Sequence, residues 1–427
     1  MDPKVALYTR LLAFAISLLL AFCSTAAAQT YKVLHNFCAP GDPGDGWGPP
    51  AGLTPDTQGN LYGVTFGGGL ECNIGGGYGT VFQLVPNQDG SWTENILYAF
   101  NVMNPGPLQA PVALDTHGNV YGLTSAGVGY GSVFELQPGS GMWSFEQLHR
   151  FDGTWDGGFD TQEPYGGVIV AGNGRLYGTT QAYGNNGGGV AFSLSEVSPL
   201  FWYELVLHPF AQAGSDGAQP QSAATIGPDG NLYGTTFAGG SNNSGTVYRL
   251  TPNLRNFGWT ESVLYSFQGT SHGSGSDGAN PAASVIFDAL GNIYGTTSFG
   301  GPAGAGTVYK LTPNLDGTWT ESVLYAFRGG YDNDGIGPQG PVALDRGGNL
   351  YGTTIGGGSN DDGTVYELTP SPGGQWTETI LHSFSGQDGQ WPRSGLVIDA
   401  AGNLYGTTQT GGTGGVEHGG VAFEITP

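Results

Sequence analysis

A core close to Gly-Asn-Leu-Tyr-Gly recurs seven times, with its tyrosine at Tyr62, Tyr121, Tyr177, Tyr233, Tyr294, Tyr351 and Tyr405. Successive tyrosines stand between 54 residues apart (Tyr351 to Tyr405) and 61 residues apart (Tyr233 to Tyr294). A period of this length marks a chain built from repeated supersecondary units. A segment close to Gly-Thr-Val-Phe/Tyr-x-Leu-x-Pro follows each core, as in Gly245-Thr246-Val247-Tyr248-Arg249-Leu250-Thr251-Pro252. Next comes Trp-Thr-Glu-x-Val-Leu-Tyr-x-Phe, as over residues 319–327. Its tryptophans are Trp92, Trp143, Trp202, Trp259, Trp319 and Trp376, one fewer than the cores.

Each unit reads as four short strands. In the sixth they are predicted over residues 341–345, 350–354, 364–368 and 376–384, with turns at 346–349 and 370–375. β-Branched and aromatic residues fill the strands, and Gly, Pro, Asn and Asp fill the gaps. Outside the first 28 residues no segment keeps a helical period. Seven four-stranded units predict an all-β fold, a seven-bladed β-propeller over residues 29–427 as one domain. The last repeat stops after its third strand, at Val421-Ala422-Phe423-Glu424-Ile425. Tyr31-Lys32-Val33-Leu34-His35-Asn36-Phe37 carries the pattern of a fourth strand. The N-terminal strand is therefore expected to complete the last blade and close the ring, which removes open sheet edges.

Composition enters as a check. The 80 glycines and 26 prolines among 427 residues match a low-complexity chain. The 12% aromatic content opposes disorder, and the glycines fall at recurring turns. With 11 basic against 34 acidic residues, a net charge of -23 argues against nucleic acid or an anionic membrane surface as partner. Lys4 and Arg10, the apolar run 11–22 and Ala26-Ala27-Ala28 read as a secretory signal peptide over residues 1–28. A lipid anchor at Cys23 is the rival reading, and Phe22 before it does not suit one. Export to the periplasm or the extracellular space is expected, with no membrane span in the mature chain.

Gly-Asn-Leu-Tyr-Gly-Thr-Thr, Gly-Thr-Val-Tyr and Trp-Thr-Glu-Ser-Val-Leu-Tyr together resemble the bacterial extracellular tandem repeat called GloVer, over essentially the whole mature chain. The spacing from the turn aspartate to Gly-Asn-Leu-Tyr is also similar to NHL-repeat propellers. The resemblance implies a secreted or surface-displayed protein and brings no catalytic residues with it.

In a propeller, the loops from a fourth strand to the next first strand share a face with the loops from second to third strand. Cys38 and Cys72 fall in one loop of each kind near blade 1, so a disulfide between them is expected, with free thiols as the alternative. The first loop set repeats Asp-Gly-x-x-Pro, giving Asp45, Asp160, Asp216, Asp277, Asp334 and Asp388, with Asn104 in blade 2. Such a ring suits calcium or, more simply, Asx turns that accept backbone N–H groups. A feature of every blade reads first as architecture. No other cofactor is expected.

Glu94, Glu204, Glu261, Glu321 and Glu378 in Trp-x-Glu read as edge-strand charges, and the repeated tryptophans as packing. Trp47, Trp155 and Trp391 lie in face loops outside the repeat and suit carbohydrate stacking, with Asp160, Asp334, Glu417 and His418 as polar companions. His35, His149, His208 and His382 replace a repeated tyrosine and read as structural. Gly269-Thr270-Ser271-His272-Gly273 matches a nucleophile elbow in letters only, because no helix follows. The sequence points to a non-enzymatic binder of glycan or another cell-envelope component, acting as a monomer. The alternatives are a carbohydrate-active lyase or hydrolase using Asp160, Asp334, Asp361 or Glu417, and a structural surface protein.

Overall fold

The computed structural model describes residues 29–39, 44–69, 78–101, 106, 108–125, 131–151, 161–162, 164–183, 187–198, 201–211, 214–253, 258–269, 277–330, 333–413 and 419–427. These residues are all-β, in seven antiparallel blades of four strands each, arranged as a β-propeller. Blade 6 runs from the inside outward as Ala343–Leu344, Leu350–Thr354, Thr364–Pro370 and Trp376–Ser383. In blade 3 the outer pair is lengthened to Gly187–Ser198 and Phe201–Ala211.

The repeated core is legible in its hydrogen bonds. In blade 6 the turn aspartate Asp345 accepts the Asn349 N–H (2.8 Å), the Asn349 amide (3.0 Å) and the Tyr351 hydroxyl (3.3 Å). Gly348 closes that turn at φ 88°, which costs glycine little. The Gly-Thr-Thr that follows has divided tasks. Thr353 Oγ1 donates to the Ser394 carbonyl of the next blade (2.7 Å), while Thr354 Oγ1 meets Thr364 Oγ1 within its own blade (2.7 Å). Gly352 lies beneath the fully buried Tyr366 ring, and a Cβ there would overlap the tyrosine hydroxyl.

The ring closes through its ends. The strand Thr30–Asn36 pairs antiparallel with Val421–Thr426, with Tyr31 opposite Ile425 and Val33 opposite Phe423. The apolar core is divided among the seams. Phe37, Tyr405 and Ala422 of blade 7 pack on Leu53, Leu61, Phe82 and Leu84 of blade 1, and each other seam has its own cluster. All six repeated tryptophans sit in these clusters, so they pack between blades as expected. Burial across seven such seams is what holds the ring together.

Candidate functional site

The outer strand of five blades carries a glutamate and, four residues later, a tyrosine or histidine. On a regular strand both would face one way. In blade 6 Leu368 stands opposite Glu378 and Tyr366 opposite Ile380, but Val365 stands opposite His382. The extra residue turns His382 to the other side. The same irregularity occurs in the outer pair of all seven blades. The glutamate consequently points at the preceding blade, and the tyrosine or histidine points at the following one.

Three groups meet as a result at four seams among the described residues: the tyrosine or histidine, the Asp-Gly-x-x-Pro aspartate, and the next blade's glutamate. At the blade 5/blade 6 seam the Tyr325 hydroxyl lies 3.1 Å from Asp334 Oδ2 and 2.8 Å from Glu378 Oε2. At the blade 4/blade 5 seam Tyr265 donates to Asp277 (2.7 Å) beside Glu321. At the blade 7/blade 1 seam His35 Nε2 lies 3.0 Å from Asp45 and 3.6 Å from Glu94. At the blade 3/blade 4 seam His208 Nε2 lies 3.3 Å from Asp216, with Glu261 close by. Burial, then the neighbouring aspartate, pushes the Glu261 and Glu321 carboxyls up to about 7. Glu378 is raised for the same two reasons, and burial with the two carboxylates raises Tyr325. The expectation that these glutamates are solvent-facing edge charges is corrected here: the Glu94 side chain is only 9% exposed, because the bulge directs it into the seam.

Two seams lack the glutamate. Phe145 takes its place in blade 2, and Tyr98 of blade 1 stacks on it at 4.7 Å and 16°. Tyr31 takes it in blade 7 and stacks on His382 at 3.9 Å and 5°.

The described members of the aspartate ring also brace their own loops. Asp45 accepts the N–H groups of Cys38 (2.8 Å) and Gly46 (2.6 Å), and Asp216 those of Ala211 (2.9 Å) and Gly217 (2.7 Å). Asp277 accepts Gln268 N–H (3.0 Å), and Asp388 accepts Ser385 N–H (2.8 Å). Asp334 accepts Arg328 N–H (2.8 Å) and Gly335 N–H (2.6 Å) and is buried, so it faces the seam rather than the loop face. This is the Asx-type bracing that the sequence offers beside calcium.

The loop face is asymmetric. After Asp-Gly, the second loop residue has a left-handed backbone: Gly48 (φ 63°), Gln219 (59°), Asn280 (56°), Gly337 (66°) and Trp391 (58°). A bulky residue in this region is strained by about 1–3 kcal/mol. Trp391 is nevertheless 42% exposed. Its N–H donates to the Asp362 carbonyl (3.0 Å), and its carbonyl accepts from Gln409 N–H (3.2 Å). Gln390 beside it donates to the Asp362 carboxylate at 2.5 Å. At the next seam, between blades 7 and 1, Trp47 lies on Gly67 and 5.6 Å from Phe66, which is 36% exposed. Gly48, next to Trp47, approaches the Gln409 carbonyl that adjoins Trp391. Trp391 therefore lies at the blade 6/blade 7 seam and Trp47 at the blade 7/blade 1 seam, on either side of the Gln409 segment of blade 7. Phe66 was not singled out in the sequence, because it is the ordinary residue after a second strand, where Phe237 also occurs. Its half-buried neighbour Trp47, an aromatic outside the repeat, is the signal that could have found it.

Trp155, Asp160, Glu417, His418 and Cys72 lie outside the described residues, as do Asn104 and His272. Cys38 is disulfide-bonded, and both other cysteines lie outside the described residues. No helix among the described residues is long and apolar enough to cross a membrane.

The Gloeobacter/Verrucomicrobia repeat family matches residues 72–285 and 262–427. The chain belongs to this family. No curated protein matches it. Among solved structures, a 6-phosphogluconolactonase-like protein of Bacteroides fragilis is similar at 16% identity and TM-score 0.51, covering 83% of this chain and 89% of its own. One of Bacteroides uniformis has 17% identity and TM-score 0.49, over 76% and 84%. A glucose-dehydrogenase-like oxidoreductase of Thermus thermophilus has 14% identity and TM-score 0.43, over 93% and 100%. At 16% identity the likeness to the Bacteroides fragilis protein shows the fold alone.

Proposed function

We propose that this repeat protein is an exported ligand-binding module that takes a glycan or another polymer of the cell envelope on the loop face around blade 7. The observation that carries the reading is Trp391, held exposed in a left-handed conformation where the sister loops place Gly48, Gln219, Asn280 and Gly337. Backbone strain is retained where surrounding structure and use demand it. An exposed indole beside the Gln390–Asp362 pair offers a stacking plane and polar groups, the combination a sugar ring needs. Trp47 and Phe66 form a second aromatic pair at the neighbouring seam. Export rests on the leader over residues 1–28, and the staple beside this face on Cys38 bonding to Cys72. Affinity electrophoresis in polysaccharide-loaded gels tests the reading. The wild-type chain should be retarded by at least one envelope or plant polysaccharide, and Trp391→Ala should migrate as in an empty gel. Equal retardation of both proteins would remove Trp391 from the site.

The competing reading is a carbohydrate-active enzyme, for which Asp361 and Asp362 are the nearest described face carboxylates. Asp362 is raised by burial first, and its Oδ1 accepts a hydrogen bond from Gln390. A single raised carboxyl does not by itself supply the acid and base of a glycosidase.

A further inference from the structure

The seams differ in one respect that the repeat does not require. At two of them an imidazole, an aspartate and a glutamate converge: His35, Asp45 and Glu94, and His208, Asp216 and Glu261. In each set the ligating atoms lie within 4.8 Å of one another. The three donors come from the outer strand of one blade, its exit loop and the outer strand of the next, and the bulge aims them together. In the second set Glu261 Oε1 is buried and has no hydrogen-bond partner among the described residues. The two carboxylates with a neutral imidazole carry two negative charges and one nitrogen donor. The His208 and Asp216 side chains are 20% and 22% exposed, so the cleft opens to water.

We propose that these two seams each bind a borderline divalent metal ion such as Zn2+ through His35, Asp45 and Glu94 and through His208, Asp216 and Glu261. Imidazole nitrogen with carboxylate oxygen suits zinc and its neighbours, whereas calcium prefers oxygen alone. Three protein ligands leave a coordination position for water. The ion would lie between the two carboxylates and fasten one blade to the next. The other described seams do not offer the set. Tyr265 and Tyr325 stand where the histidine would be, and each donates its hydroxyl proton to the cluster. At the blade 6/blade 7 seam His382 and Asp388 are present, but Tyr31 replaces the glutamate. His149 lies 3.5 Å from Glu204, but the aspartate of that seam, Asp160, is outside the described residues and the seam is not part of the proposal.

The test is zinc stoichiometry on the tag-free mature chain, stripped with chelator and titrated with ZnCl2 by calorimetry, with CaCl2 as the control. His35→Gln and His208→Gln keep a hydrogen-bond donor for the aspartate and lose the ligand nitrogen. Each should remove one zinc equivalent relative to wild type, and the double variant two. Tyr265→His, with Asp277 and Glu321 already in place, should add one. Unchanged stoichiometry in the double variant, or no zinc uptake by the wild-type chain at micromolar concentrations, overturns the proposal. A double variant that fails to fold leaves the gain at Tyr265→His to decide, and no gain there counts against it.

Discussion

The tyrosine seams make a prediction about acid and stability. Tyr325 has one hydroxyl proton, yet its oxygen lies within hydrogen-bond distance of Asp334 (3.1 Å) and Glu378 (2.8 Å). One proton cannot serve both contacts, so a second must reside on a carboxyl. Burial and the neighbouring aspartate place it on Glu378, and on Glu321 at the adjoining seam, where the carboxyl is pushed up to about 7 from 4.5. Because the folded-state value is raised, the folded chain holds more protons than the unfolded chain between these two limits. The contribution of each glutamate is fully present below 4.5 and is lost as pH rises through about 7. The ceiling is about 1.4 kcal/mol per pH unit per group, or about 3 kcal/mol over the whole interval. Both side chains are partly solvated, and screening lowers this to roughly 1 kcal/mol each. The double variant Glu321→Gln/Glu378→Gln keeps the shape and removes the titration. Urea unfolding at pH 5 and pH 8 should show wild type losing about 2 kcal/mol more than the variant over that range, because all other titrations cancel in the comparison. Equal pH dependence in the two proteins, or a variant less stable at pH 8, would refute the shared-proton account.

Gly352→Ala should destabilise by about 1–3 kcal/mol, because its Cβ would overlap the hydroxyl of the fully buried Tyr366 and force backbone apart; a thermal melt within one degree of wild type would contradict this. Alkylation of the mature chain without reductant should leave Cys38 unmodified, with Cys72 as its partner in the peptide map, and loss of that bond should cost about 2–4 kcal/mol. Cys38 labelling in full without reductant would exclude the staple.

The fold was legible because the repeats state it seven times, and the two ends state how it closes. Tyr31 to Phe37 reads as a fourth strand without any contact being known, and it pairs with Val421–Thr426. The seam chemistry was legible only in parts. The aspartate, the tyrosine or histidine and the glutamate each appear as a repeated position, but nothing in a single repeat says that the glutamate meets the preceding blade. Simple alternation puts Glu378 and His382 on one face, and only the bulge separates them. A signal did exist in the departures from the repeat. The blade 2 repeat exchanges the aspartate for Asn104 and the glutamate for Phe145. Paired departures of this kind are expected when two positions touch. Trp47 and Trp391 were visible as aromatics out of pattern. The strain at Trp391 was hidden, because φ is a property of the loop and the sister residues include Gln219 as well as glycine.

The functional claim is tested most directly by incubating the mature chain with a panel of polysaccharides and measuring both retention on the polymer and release of new ends. Retention that disappears in the Trp47→Ala/Trp391→Ala double variant, with no new reducing or unsaturated ends, is the predicted result. Product release by the wild-type chain, or retention indifferent to both tryptophans, would contradict it.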